Sequence, residues 1–160
     1  MPMCSDRKGE KMKRILPAAV IAAMLLGLCG LLWPHSFAKL QPECDSVIIL
    51  RIDTAADCVS QTFTRETYAS GSVKFERVMD IFSRYTYHRS LRTLAGASAM
   101  DGNHAGFWLS VYLDHGDDRV DIMCGGTGEI AIDGLVWRVG YWGDRASLAM
   151  MAELAAVLEK

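Results

Sequence analysis

The sequence lacks the short motifs that identify most enzymes and metal-binding proteins. It contains no Cys-x-x-Cys pair, no His-x-x-x-His pair, no calcium-loop pattern and no Gly-x-Ser-x-Gly turn. A metal site needs several ligands at bonding distance, and these are usually supplied by such repeated short spacings. A serine hydrolase of the common α/β type places its nucleophile on a sharp glycine-flanked turn. The sequence therefore indicates no metal, no cofactor and no catalytic residue, and it favours a non-enzymatic function.

Positive charge is scarce after residue 38. Residues 39–160 contain 12 Lys and Arg against 17 Asp and Glu, a net charge of −5 with His neutral. Binding to nucleic acid or to anionic lipid requires clustered Lys and Arg. An acidic body of this kind excludes nucleic acid as a partner.

Charge is absent altogether from the apolar run Ile15–Trp33, which directly follows the basic pair Lys13-Arg14. A basic segment followed by an apolar one is the arrangement of a secretory signal. The basic end stays in the cytosol because Lys and Arg are costly to move across a bilayer. The sequence therefore predicts an extracytoplasmic location, either secreted or anchored in the cytoplasmic membrane and facing outward.

Two fates are open for this leader. The small residues Ser36 and Ala38 occupy the −3 and −1 positions of a signal-peptidase site, which would place cleavage between Ala38 and Lys39. The apolar run is also close to the ~20 residues of a transmembrane helix, so an uncleaved anchor is the alternative. We expect residues 1–38 to be a signal peptide or an N-terminal membrane anchor, and residues 39–160 to form one exported domain.

The residues before Met12 favour a later start of translation. The stretch Arg7–Lys11 can be encoded by purine-only codons, and it would then resemble a bacterial ribosome-binding sequence just upstream of a start codon. We expect the true first residue to be Met12.

Three cysteines lie after the leader, namely Cys44, Cys58 and Cys124. An oxidising compartment permits a disulfide, but an odd number leaves one thiol unpaired. The first predicted hairpin puts Cys44 and Cys58 at opposite ends, which leaves Cys58 with Cys124 as the possible pair. The alternative is that the thiols are buried and free, as small apolar side chains.

Hydrophobic periodicity after the leader predicts an α+β fold. The predicted elements are a hairpin of strands 47–52 and 59–64, a helix from Val73, a strand within 84–94, a loop over 95–105, strands 107–114 and 120–124, a hairpin of strands 129–132 and 135–139, and a helix from about Arg145. Asp133-Gly134 is typical of a two-residue type I′ turn. The whole is a mostly antiparallel sheet of hairpin, helix, strand and meander, covered on one face by two helices.

Each predicted helix carries an apolar side that should face the sheet. In the first helix these residues are Val73, Phe75, Val78, Met79, Ile81 and Phe82, after an N-cap at Ser72. In the second they are Leu148, Met151, Leu154, Ala155 and Leu158, after an N-cap at Asp144.

Aromatic side chains on the strand 107–114 are the best candidates for a binding site. Phe107, Leu109, Val111 and Leu113 alternate with Trp108, Ser110, Tyr112 and Asp114. If the first set faces the core, Trp108 and Tyr112 lie on the outer face, with Arg119 and Arg138 as expected neighbours. Aromatic rings beside Arg can form a recognition patch because their area binds at low entropic cost. The alternative is that another segment covers the rings.

Two function classes therefore remain. The favoured one is a non-catalytic module that binds a protein, a peptide or a glycan at the cell surface, with the membrane as a further partner if the leader is retained. The alternative is a small exported hydrolase that uses His104 or His115 with nearby Asp residues.

Four segments carry a resemblance to a known group of proteins. These are VKFERVMDIFSRYTYHRS, FWLSVYLDHGDDRVDIM, GEIAIDGLVWRVG and LAMMAELAAVL. Together they resemble the small extracytoplasmic domains of unknown function, from lipoprotein-like families, that are common in Gram-positive gut bacteria. The resemblance spans most of residues 46–159 and implies a short helix before a strand, a closing hairpin and a final leucine-rich helix. It implies no catalytic residue. Leu28 precedes Cys29, where a lipoprotein signal has a small residue, so a lipid anchor does not follow.

Overall fold

The computed structural model of the chain describes residues 7–40, 43–56, 60–96, 106–125 and 128–159, and only the backbone of residues 7–16, 18, 39, 40, 94 and 106. The chain divides into two compact units, Met1–Trp33 and Pro34–Lys160.

The first unit contains one helix, α1, Arg7–Leu32, which includes Pro17. Its large apolar side chains, among them Leu26 and Met24, are exposed. Among the helices that the structure describes, none combines the length and the apolarity needed to cross a membrane.

The second unit is built on one seven-stranded antiparallel sheet with the strand order β2-β1-β4-β5-β6-β7-β3. The strands are β1 Ser46–Thr54, β2 Gln61–Ala69, β3 Tyr87–Arg89, β4 Gly106–His115, β5 Asp118–Cys124, β6 Glu129–Ile132 and β7 Leu135–Val139. The helices are α2 Phe37–Leu40, α3 Val73–Arg84, α4 Leu91–Leu94 and α5 Arg145–Leu158. The predicted α+β class is confirmed.

The core lies between one face of the sheet and the helices α3 and α5. Burying these apolar side chains is the main source of stability, at roughly 1.5–3 kcal/mol for each large one. The fully buried members include Val47, Ile49, Leu109, Val111, Leu113, Ile122, Phe82 and Leu154. The opposite face of the sheet is called the outer face below.

Helix α3 begins where the sequence predicts. The Ser72 side chain accepts a hydrogen bond from the Phe75 N–H at 3.2 Å, which caps the first turn. The inclusion of Val73 in the buried side is wrong, because Val73 is 86% exposed. Val73 and Phe75 are 200° apart around a helix of 3.6 residues per turn, so they cannot share one face.

Helix α5 also begins at the predicted N-cap, Asp144, but the Asp144 side chain makes no capping bond. The prediction that Leu148 is buried is wrong, because Leu148 is 44% exposed. The buried side starts one residue earlier, at Ser147, whose hydroxyl donates to the Asp144 carbonyl. One residue of offset turns a helical side chain by 100°, which moves Leu148 to the margin of the packed face.

The region 84–94 is only partly a strand. Strand β3 has three residues, and Ser90 then starts α4 through a reciprocal capping box with Thr93. The Thr93 hydroxyl also donates to the Val136 carbonyl. The predicted loop over 95–105 lies outside the described residues beyond Gly96.

Both predicted hairpins form, although the second strand of the first one is Gln61–Ala69 and extends past its predicted end at residue 64. Strands β1 and β2 pair without interruption from Ser46 opposite Ala69 to Thr54 opposite Gln61. Between β6 and β7, Asp133 and Gly134 have φ values of +48° and +75°, as a type I′ turn requires.

Candidate functional site

The outer face carries the aromatic side chains singled out in strand β4. Leu109, Val111 and Leu113 are fully buried on the core side, while Trp108 and Tyr112 are half-buried on the outer face. The strict alternation follows from the period of two in a strand.

Neighbouring strands place further apolar side chains beside this pair. Trp108 lies opposite Ile52 on β1, and Ile52 lies opposite Phe63 on β2, so these three form a row across three strands. Met123 on β5 lies opposite Ser110, between Trp108 and Tyr112. We call Ile52, Phe63, Trp108, Tyr112 and Met123 the outer-face patch.

The Trp108 ring lies against the backbone of Gly125. A Cβ atom built on Gly125 would come within 3.0 Å of the ring carbon Cζ3 of Trp108. That separation is below ordinary van der Waals contact, so the ring takes this position because residue 125 has no side chain. The indole is thereby held by close packing, which lowers the entropic cost of using it as a binding surface.

Arg119 is fixed at the other end of the patch. Its Nε donates to Asp114 Oδ1 at 2.7 Å, and its guanidinium carbon lies 5.4 Å from the centre of the Tyr112 ring. The Arg119 hydrogen bond holds the pKa of Asp114 below its usual range. Arg119 therefore combines an ion pair with a cation–π contact at the edge of the aromatic surface.

Arg138 does not join this group. It lies on the outer face, but on β7, and β6 separates β7 from β5. Its Nη2 donates to the Gly143 carbonyl at 3.2 Å, and its Nε is buried. Of the four residues predicted for the binding site, Arg119 contacts Tyr112, Trp108 lies on the same face of β4 four residues from Tyr112, and Arg138 lies two strands away from β5.

The alternation of β4 alone could not identify Ile52 and Phe63 as members of the patch. Phe63 stands between two threonines in a strand whose side chains are mostly exposed, which is a weak signal, and it is 62% exposed. Its nearness to Trp108 depends on β1 pairing with β4, and these strands are far apart in the sequence.

The histidines of the hydrolase alternative fall in two parts of the chain. His104 lies outside the described residues. His115 lies at the end of β4, with Nε2 3.3 Å from Glu43 Oε2 and Nδ1 3.2 Å from Asp45 Oδ2. The Nδ1 contact has an ion-pair distance without hydrogen-bond geometry, and the same Asp45 oxygen accepts from the Gly116 N–H at 3.0 Å.

The Cys44 thiol does not provide a reactive nucleophile for the hydrolase alternative. The Cys44 thiol donates to the Ser46 carbonyl at 3.0 Å, and burial, together with nearby carboxylates, raises its pKa. A thiol held in its protonated form is a poor nucleophile. Within the described residues, no three His, Cys, Asp or Glu side chains are grouped so as to hold a metal ion.

The structure also describes some of the residues predicted for the disulfide and for the signal-peptidase site. Cys124 is a free, fully buried thiol whose pKa burial raises to about 12. Cys58 lies outside the described residues, so its pairing with Cys124 stays a prediction. Ala38 is exposed in α2, and its neighbour Phe37 is buried and stacks on Phe82 with ring centres 4.8 Å apart. Cleavage between Ala38 and Lys39 would remove Phe37 from the core.

Comparison of the chain with protein-family models, with curated proteins and with solved structures gives no match in any of the three.

Proposed function

We propose that the second unit is an exported, non-catalytic binding module that holds a protein, peptide or glycan ligand on its outer-face patch at the bacterial cell surface. The observation that carries the proposal is the continuous row Phe63, Ile52 and Trp108, with Tyr112 and Met123 beside it. Contiguous apolar surface on a sheet is typical of interaction sites, whereas single exposed apolar residues are not.

The chemistry of the patch supports a ligand with apolar or stacking groups. Two rings of different shape lie on one flat face, and each is held by its surroundings, Trp108 by Gly125 and Tyr112 by Arg119. Rigid aromatic rings give large contact area with few rotatable bonds, so little conformational entropy is lost on binding. Arg119 and the nearby Asp121 supply charges at the rim that can orient a ligand.

The export part of the proposal is supported by the uncharged run that follows Lys13-Arg14. The secreted form and the anchored form both remain within the proposal. The anchored form keeps Phe37, whose side chain belongs to the core, whereas cleavage between Ala38 and Lys39 removes it. Mass spectrometry of the N-terminus in the producing cell distinguishes the two forms, because only the secreted form begins at Lys39.

Capture from the cell-envelope fraction tests the patch. The Trp108→Ala, Tyr112→Ala double variant of the full chain should lose the ligand, and the Tyr112→Ala single variant should weaken capture by about tenfold, since central aromatic contacts contribute most to binding. Trp142→Ala is the matched control, because Trp142 is an exposed indole in the segment between β7 and α5 and is not on a strand of the patch. Unchanged capture by a folded double variant would contradict the site.

A hydrolase is the second candidate, and the contact of His115 with Glu43 and Asp45 is the observation that favours it. Its test is hydrolysis of envelope glycans or peptides by the full chain. Activity that disappears in His115→Ala, while capture through Trp108 and Tyr112 persists, would replace the binding module by an enzyme.

A further inference from the structure

One edge of the sheet is formed by the nine-residue strand β2, and no described strand lies beyond it. The Ala55 N–H donates to the Ser60 carbonyl, and the Ser70 N–H donates to the Asp45 carbonyl. Hydrogen-bonded pairs recur at every second residue of an antiparallel ladder, so the even-numbered residues of β2 are those that bond to β1. The N–H and C=O groups of the odd-numbered residues point away from the sheet. These residues are Gln61, Phe63, Arg65, Thr67 and Ala69.

Strand β2 has few of the features that normally prevent edge pairing. Natural edge strands are kept short, or they carry Pro, charged side chains or a bulge. Strand β2 has two charged residues, Arg65 and Glu66, but it has no Pro and its register with β1 has no bulge. Its side chains are exposed apart from Glu66 and Tyr68. No strand in the described part of the chain pairs with its outer side.

Two registers of an antiparallel pair between β2 and a second copy of β2 would place like charges opposite each other. Suppose that β2 pairs in antiparallel fashion with β2 of a second copy and that the outer faces of both copies lie on the same side of the combined sheet. Odd-numbered residues of one copy must then lie opposite odd-numbered residues of the other. Centring the pair on Arg65 sets Arg65 opposite itself, and centring it on Glu66 sets Glu66 opposite itself. Like charges directly opposite each other are destabilising.

Centring the pair on Thr64 avoids both conflicts. Phe63 then lies opposite Arg65 of the second copy, and Gln61 opposite Thr67, with about eight backbone hydrogen bonds between the strands. On the core-facing side, Thr62 lies opposite Glu66. The exposed Phe63 ring gains a guanidinium neighbour on each side of the two-fold axis, which favours association through cation–π contact. We propose that the chain forms a symmetric homodimer through β2 in this register.

The opposite edge of the sheet explains why such pairing would stop at a dimer. Tyr87 of β3 exchanges two backbone hydrogen bonds with His35, at 2.8 and 3.0 Å, so this edge already has a partner. In the described part of the chain one edge is open, and a two-fold symmetric contact through that edge closes as a pair and does not grow into a fibre.

A cysteine register scan tests the proposal on the full chain in mild non-ionic detergent, because α1 exposes apolar side chains. Across the two-fold axis, the Thr64 Cα atoms would be about 4.5 Å apart, within the range of about 4.4–6.8 Å that a disulfide spans. The Thr64→Cys variant should form a covalent dimer under mild oxidation. Thr62→Cys is the matched control, since its two copies would lie about 14 Å apart. The unsubstituted chain gives the background from the native cysteines.

Sedimentation of two lysine variants provides a second measurement. Thr64→Lys places two ammonium groups together at the axis and should weaken dimerisation by at least about tenfold, whereas Thr62→Lys faces Glu66 of the second copy and should preserve it. A monomeric unsubstituted chain, equal cross-linking at positions 62 and 64, or a dimer that survives Thr64→Lys would overturn the proposal. Extended peptides that bind the β2 edge of a monomeric chain would assign the edge to another partner and would overturn it as well.

Discussion

The two edges of the sheet are built in opposite ways. Strand β3 has only three residues, but residues outside β3 complete this edge of the sheet. His35 pairs with Tyr87, and Thr93 bonds the Val136 carbonyl of the adjacent strand β7 where β3 has ended. Strand β2 has nine residues, and no described strand covers its outer side. The length of a strand in the sequence thus says little about whether its edge is closed.

The physical reason lies in where each edge finds its partners. A buried backbone group without a hydrogen bond costs roughly 1–3 kcal/mol, and the β3 edge borders the core. Tyr87 is fully buried, and Phe37 stacks on Phe82 beside it. The β2 edge is exposed to solvent, so water can hydrogen-bond to its N–H and C=O groups at little cost in free energy. Closing the first edge therefore stabilises the fold, whereas the second edge can stay open to a partner.

The largest expected effect is on the closed edge. Phe37→Ala should lower the free energy of unfolding by about 3 kcal/mol, because a buried ring is replaced by a cavity. The matched change on the open edge, Phe63→Ala, should lower it by less than about 0.5 kcal/mol at low protein concentration, since this ring is mostly in water. Urea unfolding followed by circular dichroism measures both. Equal losses would contradict the contrast between the edges.

Proline substitutions should give the next largest difference in stability between the two edges. His35→Pro removes the N–H that donates to the Tyr87 carbonyl and should cost about 2 kcal/mol in unfolding free energy. Arg65→Pro removes an N–H that points away from the sheet, where proline is tolerated, so its cost should be under about 1 kcal/mol. Thermal unfolding of the two variants gives the comparison. A larger loss of stability for Arg65→Pro than for His35→Pro would show that the odd-numbered residues of β2, and not the even-numbered ones, bond to β1.

A smaller effect is expected from a hydroxyl on the closed edge. Thr93→Val removes the donor to the Val136 carbonyl and one half of the capping box of α4. We expect a loss of about 1 kcal/mol, the usual contribution of a cap or a single hydrogen bond. Thr64→Val, which has the same shape change on the open edge, should change stability by less than about 0.5 kcal/mol. Urea midpoints that coincide for the two variants would contradict the role of Thr93.

Local features of the fold are the ones that the sequence could predict. The alternation of β4, the Ser72 cap of α3 and the Asp133-Gly134 turn depend on neighbouring residues alone, and each has a local physical cause. The errors at Val73 and Leu148 are also local, because each misplaces the centre of a helical face by one or two residues.

The composition of the outer-face patch could not be predicted, because it depends on strand order. Phe63 and Trp108 become neighbours only when β1 inserts between β2 and β4. Arg138 was expected beside Trp108, yet β6 separates its strand from β5. The alternation along one strand determines which face its residues occupy, but it does not determine which distant strand lies beside it.

The smallest expected effect concerns acid stability of the open edge strand. The Tyr68 hydroxyl donates to Glu66 Oε2 at 2.7 Å and the Lys74 ammonium at 3.1 Å, and they hold the pKa of Glu66 below its usual value. A carboxylate whose pKa is lower in the folded state stabilises the fold above its unfolded pKa, and that contribution is lost as pH falls through the folded pKa. Stability should therefore decline below about pH 4.5, and Glu66→Gln should flatten part of that decline.

At neutral pH the Glu66→Gln variant should lose less than about 1 kcal/mol, because the pair with Lys74 is partly in water and is screened. Urea unfolding between pH 3 and pH 6 measures the slope, with Glu76→Gln on the exposed side of α3 as the control. A Glu66→Gln variant that keeps the full acid slope would mean that the stabilising carboxylate lies elsewhere, with Asp114 beside Arg119 on the outer face as the next residue to replace. That result would place the pH-sensitive contact at the binding patch. The contribution of β2 to the unfolding free energy would then not depend on pH, as expected for a strand whose outward backbone groups are hydrogen-bonded mainly to water.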